Sequence, residues 1–292
     1  MVCILSLLGL PPQLLPVGRG FIEAMGSGLR VEPSDVLFRC NIISTDKNGT
    51  ILSSCPSSLT EMQLILLTQR INEAAFHLGM RLVHTEGYKL LLICKGLSAN
   101  QYISTQAPHQ HIGQGFIPSS HPKLRQFLQV TSPILAELSS YELRYQAALW
   151  DYSVYAPLPS FQELWGAKGA MVCGTAIAAG IGRGLGMAVS IPKGATGDVD
   201  TDLGAKLAES LRLLAQFPYV YCHINGTDEA SHRRAPLQKA AFLQKIDQEL
   251  LSPLIQHCPR GTVIQICSDH GCSSTTGRHY KTPIPIIRYT KQ

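Results

Sequence analysis

The sequence predicts an α/β fold with a mostly parallel sheet flanked by helices, interrupted near its start by an inserted α+β domain. Three observations carry this. After Pro157-Leu158-Pro159, short apolar runs alternate regularly with helical patterns, and such alternation implies a parallel sheet covered on both faces. Between residues 31 and 154 the pattern changes to a hairpin signal, a strand pair and two long helical stretches. Finally, two apolar runs in the second half each lead into an Asp and a His. In open α/β sheets the carboxyl ends of the strands are where ligands bind.

Residues 1–16 read as a helix followed by a Pro-rich turn. Gly18-Arg19-Gly20 then opens a short amphipathic segment, Phe21 to Met25, closed by Gly26-Ser27-Gly28. Val36 to Ile43 is strand-like, and Asp46-Lys47-Asn48-Gly49 is a turn signal before Thr50-Ile51-Leu52, which predicts a hairpin. Leu59 to Leu78 has helical spacing, with Ser58 or Thr60 as N-cap and Gly79 as the stop. Arg81–His84 and Lys89–Cys94 form a strand pair, 97–120 is loop, and helix resumes from Pro122 to Leu143. In the last part, strands are expected at 170–173, 187–191, 219–224, 262–266 and 284–289. Helices are expected at 175–182, 203–215 and 236–255, the last starting on Pro236, whose missing N–H is harmless there. The domains are then 1–30 with 155–292 as the core, and 31–154 as the insert.

Composition narrows the function classes. At 292 residues, 45% hydrophobic and 15% charged, the chain can bury a sizeable core and is not disordered. The net charge of +5 is mild and dispersed, without the basic stripe or motif that nucleic-acid binding needs. Nine scattered cysteines, an odd number with no C-x-x-C, suit reduced cytoplasmic thiols. Met1 to Leu10 lacks the basic start and cleavage site of a signal peptide, and no run reaches the roughly 18 apolar residues of a membrane span. Gly180-Ile181-Gly182-Arg183-Gly184-Leu185-Gly186 misses the third glycine of a dinucleotide fingerprint and follows its helix rather than opening it. It reads as a helix terminus, so no nucleotide cofactor is expected.

The chemistry gathers at the two Asp-and-His strand ends. Thr262–Ile266 runs into Ser268-Asp269-His270, with His279 shortly after, and Phe217–Ile224 leads to Asp228 and His232. Asp228 and His232 are four apart, so one helical turn aligns them. Carboxylate and imidazole together suit Mn²⁺ or Zn²⁺ poised over phosphate oxygens. Taken singly, each Asp is as readily a turn or cap residue and each His a core or surface one. Cys267 and Cys272 flank the Asp-His pair without a zinc-knuckle spacing and read as core thiols. His109 and His111 lie in a loop. Arg19, Arg39 and Lys168 are isolated cations, and Arg39, inside an apolar strand, needs an acceptor if it is buried.

Gly18-Arg19-Gly20-Phe21-Ile22-Glu23-Ala24, Phe38-Arg39-Cys40-Asn41, Gly194-Ala195-Thr196-Gly197, Asp228-Glu229-Ala230-Ser231-His232 and Ser268-Asp269-His270 resemble, in order and spacing, the archaeal-type cofactor-independent phosphoglycerate mutases. These belong to the alkaline-phosphatase-like superfamily. The resemblance implies a metal-binding core with a cap domain, and transfer of a phosphoryl group between the 2- and 3-hydroxyls of glycerate through a phosphoserine. It implies two divalent ions, Mn²⁺ first with Mg²⁺, Co²⁺ or Zn²⁺ as alternatives, and no 2,3-bisphosphoglycerate. Asp228, His232 and His279 would bind one ion, and Asp269 and His270 the other. Arg39 and Lys168 would steady the transferring group, with Arg19 and His109 also contacting the small phosphorylated substrate.

By the same resemblance, the nucleophilic Ser and a first core strand bearing a further metal-binding Asp would precede Met1. The chain therefore reads as an N-terminally incomplete mutase, and Ser6 is no substitute because it falls inside a helix. A core without that strand should expose an unpaired apolar edge. Gln106-Ala107-Pro108-His109 stands where the family has Thr-Asp-Pro-His, and Lys89 where an Arg is common. These departures keep open an inactive metal-binding remnant, or a phosphatase or phosphotransferase with another small substrate.

Overall fold

The computed structural model describes residues 1–14, 18–98, 103 and 105–292. It divides into two compact units, residues 1–16 with 157–292, and residues 17–156. The chain opens with helix α1 (Val2–Leu7), whose neighbourhood buries Ile4, Leu5 and Leu8 and leaves Ser6 exposed. Helix α2 (Arg19–Gly26) follows and packs on the strands of the insert. The boundary expected at residue 30 therefore falls at 16–17.

The insert is a five-stranded antiparallel sheet of β1 (Val36–Thr45), β2 (Ile51–Ser53), β3 (Met80–Glu86), β4 (Lys89–Cys94) and β5 (Arg144–Val154). All ten residues of β1 are buried, and the two-residue period of a strand sorts them between the faces. Val36, Phe38, Cys40 and Ile42 join a cluster with Leu64, Leu67 and Ile71 of α3 (Glu61–Ala75) and Leu124 and Phe127 of α4 (Pro122–Ala136). Leu37 packs instead with Ala24 of α2 and with Leu91 and Ile93. Arg39 lies on this second alternation, with α2. Helix α3 starts on a capping box of Thr60 and Gln63, and a 3₁₀ turn carries it to Gly79, which stops it in the left-handed conformation.

Strand β5 is a departure from the sequence reading, which ran α4 on to Leu143 and gave no strand at 144–154. Ala147, Ala148 and Leu149 are helix formers, so local propensity does not announce a strand there. Its pairing with β1, from Val36↔Val154 to Thr45↔Arg144, overrides that preference.

The other unit continues through α5 (Phe161–Trp165), β6 (Gly169–Val172), α6 (Ala176–Gly184), β7 (Ala188–Ser190), α7 (Leu203–Leu214), β8 (Tyr219–Cys222) and α8 (Gly226–His232). Next come α9 (Pro236–Ile246), a π-helical turn over Asp247–Leu251 and α10 (Ser252–His257). The chain ends with β9 (Val263–Cys267), β10 (Gly271–Cys272), β11 (His279–Tyr280) and β12 (Ile286–Thr290). Trp165 fastens α1 to this unit by donating its indole N–H to the Leu8 carbonyl at 2.8 Å. The parallel sheet has the order β7-β6-β8 among the described residues, with Ala170, Val172 and Leu213 buried against Val220 and Cys222. Leu203, Phe242 and Leu250 form a second cluster where α7 meets α9 and the π-helical turn.

The last strand is antiparallel, since β12 pairs with β9 in that sense. All of β12 is exposed, with Ile286 57% and Ile287 60% accessible although strand side chains alternate between faces. Both faces of this strand are thus uncovered. No helix of the described residues is long and apolar enough to cross a membrane.

Two-sided apolar exposure on a strand is a template for association. Light scattering of the purified protein should report particles larger than one chain, and Ile287→Lys should return them toward the single-chain size. A monodisperse single chain at high concentration would show that β12 does not drive association.

Candidate metal centre

A helical turn and a hairpin build the centre. In α8, Asp228 and His232 are four residues apart and meet on one face, with Asp228 Oδ2 3.2 Å from His232 Nε2. In the short hairpin of β10 and β11, Cys272 is directly opposite His279, so both side chains leave on the same face. The two faces meet. His279 Nε2 is 3.2 Å from Asp228 Oδ1 and 3.1 Å from His232 Nε2. One donor atom from each of Asp228, His232, Cys272 and His279 lies within 4.8 Å of the others, the one such group of three or more donors found among the described residues.

Hydrogen bonds fix which way these groups point. His232 Nδ1 donates to the Gly277 carbonyl at 2.8 Å, which leaves the Nε2 lone pair of the neutral ring facing the carboxylate and His279. Gly277 has φ +72, and a Cβ on it would stand 3.0 Å from the His232 carbonyl oxygen. Gly271, opposite Tyr280, lets that ring close to within 2.8 Å of where its Cβ would be. Burial and the neighbouring His270 hold the His279 imidazole below its ordinary range, which favours the neutral ligand form. Burial, then the Asp228 carboxylate, push the Cys272 thiol up to about 11. Converging lone pairs of nitrogen and oxygen repel unless a proton or a cation lies between them. The donor set therefore fits a divalent ion.

Asp269 and His270 follow β9 and adjoin this cluster. His270 stacks on His279 with ring centroids 3.9 Å apart, and its Nε2 is 3.4 Å from Asp269 Oδ2. The buried Nδ1 of His270 has no protein partner. An open cleft of about 490 Å³ borders Asp269, His270 and Tyr280–Ile284. Beneath the carboxyl end of β8 is Lys206, fully buried, which donates to the His223 carbonyl at 3.0 Å and more weakly to Thr196 O at 3.4 Å. Its burial is not legible in the sequence, because a lysine in a helical pattern ordinarily marks the solvated face. Cys272 was placed among core thiols, and its partnership with His279 needs the hairpin register to be visible.

The other expected residues are elsewhere. Lys168 is exposed and precedes β6, whose Gly169 pairs in parallel with Tyr219 at the start of β8. It is therefore at the amino edge of the sheet, a strand's length from the carboxyl edge that carries Asp228, and does not join the centre. In the insert, Arg39 finds the acceptor that its burial demands. Its Nε donates to Glu23 Oε2 at 2.9 Å, and Arg19 Nε donates to the other oxygen of the same carboxylate at 3.1 Å. Arg39 also stacks over Trp150 at 4.2 Å, and the His109 ring meets Trp150 edge-on at 5.0 Å. Burial and the Arg39 charge lower the His109 pKa. Asp151, strained at φ 56, accepts from Gly20 N–H at 3.1 Å, and burial raises its pKa against the pull of Arg39.

Residues 2–142 match the family model described as 2,3-bisphosphoglycerate-independent phosphoglycerate mutase. A curated mutase of that description from Ignicoccus hospitalis is 28% identical, covering 98% of this chain and 74% of its own length. The chain is similar in sequence to the cofactor-independent phosphoglycerate mutases. Solved structures of a Pyrococcus horikoshii protein, PH0037, and of the cofactor-independent phosphoglycerate mutase from Thermoplasma acidophilum share its α/β fold. Both are 21% identical, with TM-scores of 0.78 and 0.56, and the match covers 99% and 98% of this chain and 72% and 75% of theirs. The matched residues take in α1 and the insert as far as the start of β5, whereas the metal cluster lies beyond residue 142.

Two stability measurements check these buried contacts. Glu23→Ala strips a buried guanidinium of its carboxylate and should cost about 3–5 kcal/mol in urea unfolding. A loss under about 1 kcal/mol would mean that Asp151 and Trp150 suffice for Arg39. His223 is pushed down to about 4 by burial and then by the Lys206 charge, from an ordinary 6.5. The unfolded chain therefore binds more protons than the folded one between those values, so stability falls as pH drops from 6.5 to 4. His223→Phe should lose less of its thermal midpoint over that window, and identical pH profiles would contradict the assignment.

Proposed function

We propose that this chain is a metal-dependent phosphoglycerate mutase, moving a phosphoryl group between the 2- and 3-hydroxyls of glycerate without 2,3-bisphosphoglycerate. The convergence of Asp228, His232 and His279 from a helical turn and a hairpin is the observation that carries this reading. The similarity to the mutases supplies its substrate class. Asp228, His232 and His279 hold the ion, which when bound supplies positive charge for phosphate oxygens. Asp269 and His270 offer a second place with only two protein donors, so a second ion binds there more weakly. Mn²⁺ is the ion that the resemblance to the mutases implies for these nitrogen and oxygen donors.

In the insert, Arg19 is 43% exposed, so its guanidinium can meet a phosphate or carboxylate while Glu23 ties it to the buried Arg39. Arg39 acts as a positioning residue for Arg19. His109, kept neutral, presents a hydrogen-bonding ring beside them. The serine that accepts the phosphoryl group is assigned to none of the chain's residues, and Ser6 lies within α1. A cytoplasmic setting suits the nine free cysteines.

The alternatives, a phosphatase or a metal-binding protein without transfer activity, are separated by one experiment. The protein is given 3-phosphoglycerate with Mn²⁺, Co²⁺ or Zn²⁺ and followed by phosphorus NMR. Appearance of 2-phosphoglycerate, abolished in Asp228→Ala and His279→Ala, supports the mutase. Release of inorganic phosphate alone makes it a phosphatase. Unchanged substrate with metal bound makes it a metal-binding relative that does not transfer. Full activity in either variant would overturn the metal assignment.

A further inference from the structure

The cluster contains a donor of a different kind from the other three. We infer that Cys272 is a fourth ligand and that this centre selects a thiophilic ion, Zn²⁺ or Co²⁺, over Mn²⁺ or Mg²⁺. The inference rests on the reading of Asp228, His232 and His279 as a metal site and adds the sulfur.

The register of the hairpin is the first support. Directly opposite residues of an antiparallel pair project to the same side with Cβ atoms roughly 4.5–5.5 Å apart. Cys272 and His279 are such a pair, so a hairpin that aims His279 at the centre aims Cys272 there too. The second support is spacing. Tetrahedral Zn²⁺ with Zn–N of about 2.0–2.1 Å and Zn–S of about 2.3 Å separates its ligand atoms by roughly 3.3–3.8 Å. The Nε2 atoms of His232 and His279 are 3.1 Å apart and each is 3.2 Å from its own oxygen of Asp228, while one donor atom from each residue, Cys272 Sγ included, lies within 4.8 Å of the others. Only small shifts are needed.

The surroundings point the same way. Cys272 is 7% exposed, yet its Sγ lies within 4.8 Å of donor atoms of Asp228, His232 and His279 instead of facing only apolar neighbours. Its backbone is held as well, since Lys239 Nζ donates to the Cys272 carbonyl at 3.0 Å. The hydrogen bond from His232 Nδ1 to Gly277 orients one imidazole from the turn that joins the two hairpin strands. Two imidazoles, a carboxylate and a thiolate form a borderline-soft set, and sulfur is a poor donor for Mn²⁺ and Mg²⁺. On binding, the Cys272 sulfur exchanges its proton for the ion, and that proton leaves to solvent.

Chelator-stripped protein is titrated with Co²⁺ and watched in the near ultraviolet. A sulfur-to-cobalt charge-transfer band that saturates at one equivalent is expected, absent in Cys272→Ser and retained in Cys267→Ser. X-ray absorption of the wild-type Zn²⁺ form should show one sulfur at about 2.3 Å, a measurement that does not depend on the variant folding. Cys272→Ser should weaken Zn²⁺ by at least about tenfold, since loss of a direct ligand exceeds loss of an outer-shell partner. Its Mn²⁺ affinity should hardly change. Co²⁺ or Zn²⁺ bound by nitrogen and oxygen alone overturns the sulfur ligand while leaving the metal reading intact. Failure to bind either ion, or binding that survives Asp228→Ala, overturns both.

Discussion

The hydrogen bond from His232 to the Gly277 carbonyl joins a helix to a hairpin, and the arrangement of the centre depends on it. Without that clasp, α8 would present a carboxylate and an imidazole, and β10–β11 a thiol and an imidazole, as two separate pairs. With it, four donors from two elements converge, and one of them has its tautomer fixed. Backbone terms make the clasp possible. Gly277 adopts a left-handed conformation against the end of α8, and Gly271 admits the Tyr280 ring across the hairpin. A side chain at either position would move the hairpin before it touched a ligand.

The insert solves a different problem. A guanidinium in the middle of a buried strand must be neutralised, and Glu23 on α2 does so while also holding Arg19. Two arginines share the Glu23 carboxylate, and Arg19 is the one of them that solvent reaches. A cation fixed on a short helix by its buried neighbour is better prepared for an anion than a free surface arginine, because less side-chain freedom is lost on binding.

The alternation of apolar runs and helical patterns after residue 157 was enough to place β6, α6, β7, α7 and β8 in order, and the i, i+4 spacing was enough to pair Asp228 with His232. Both are local regularities that one chain segment displays by itself. What escaped depended on partners distant in sequence. Strand β5 is made by β1, more than a hundred residues earlier, and its own alanines say nothing of it. The short amphipathic segment that becomes α2 covers the sheet of the insert and not the core, and which sheet it covers is not written in its own residues. Cys272 looks like any small apolar residue until its cross-strand neighbour is known. Lys168 was placed in the site by resemblance, while parallel pairing of β6 with β8 puts it at the far edge.

The donors come in two instalments, His232 closing the first and Cys272 opening the second, with about 40 residues between them that include α9, α10 and β9. An ion shared by both would act as a removable cross-link around that loop, much as a disulfide does. The whole α9-to-β10 segment would then be tied at its two ends by a bond that a chelator can cut. The exposed β12, paired to β9 within reach of this loop, would be the first to feel the knot loosen.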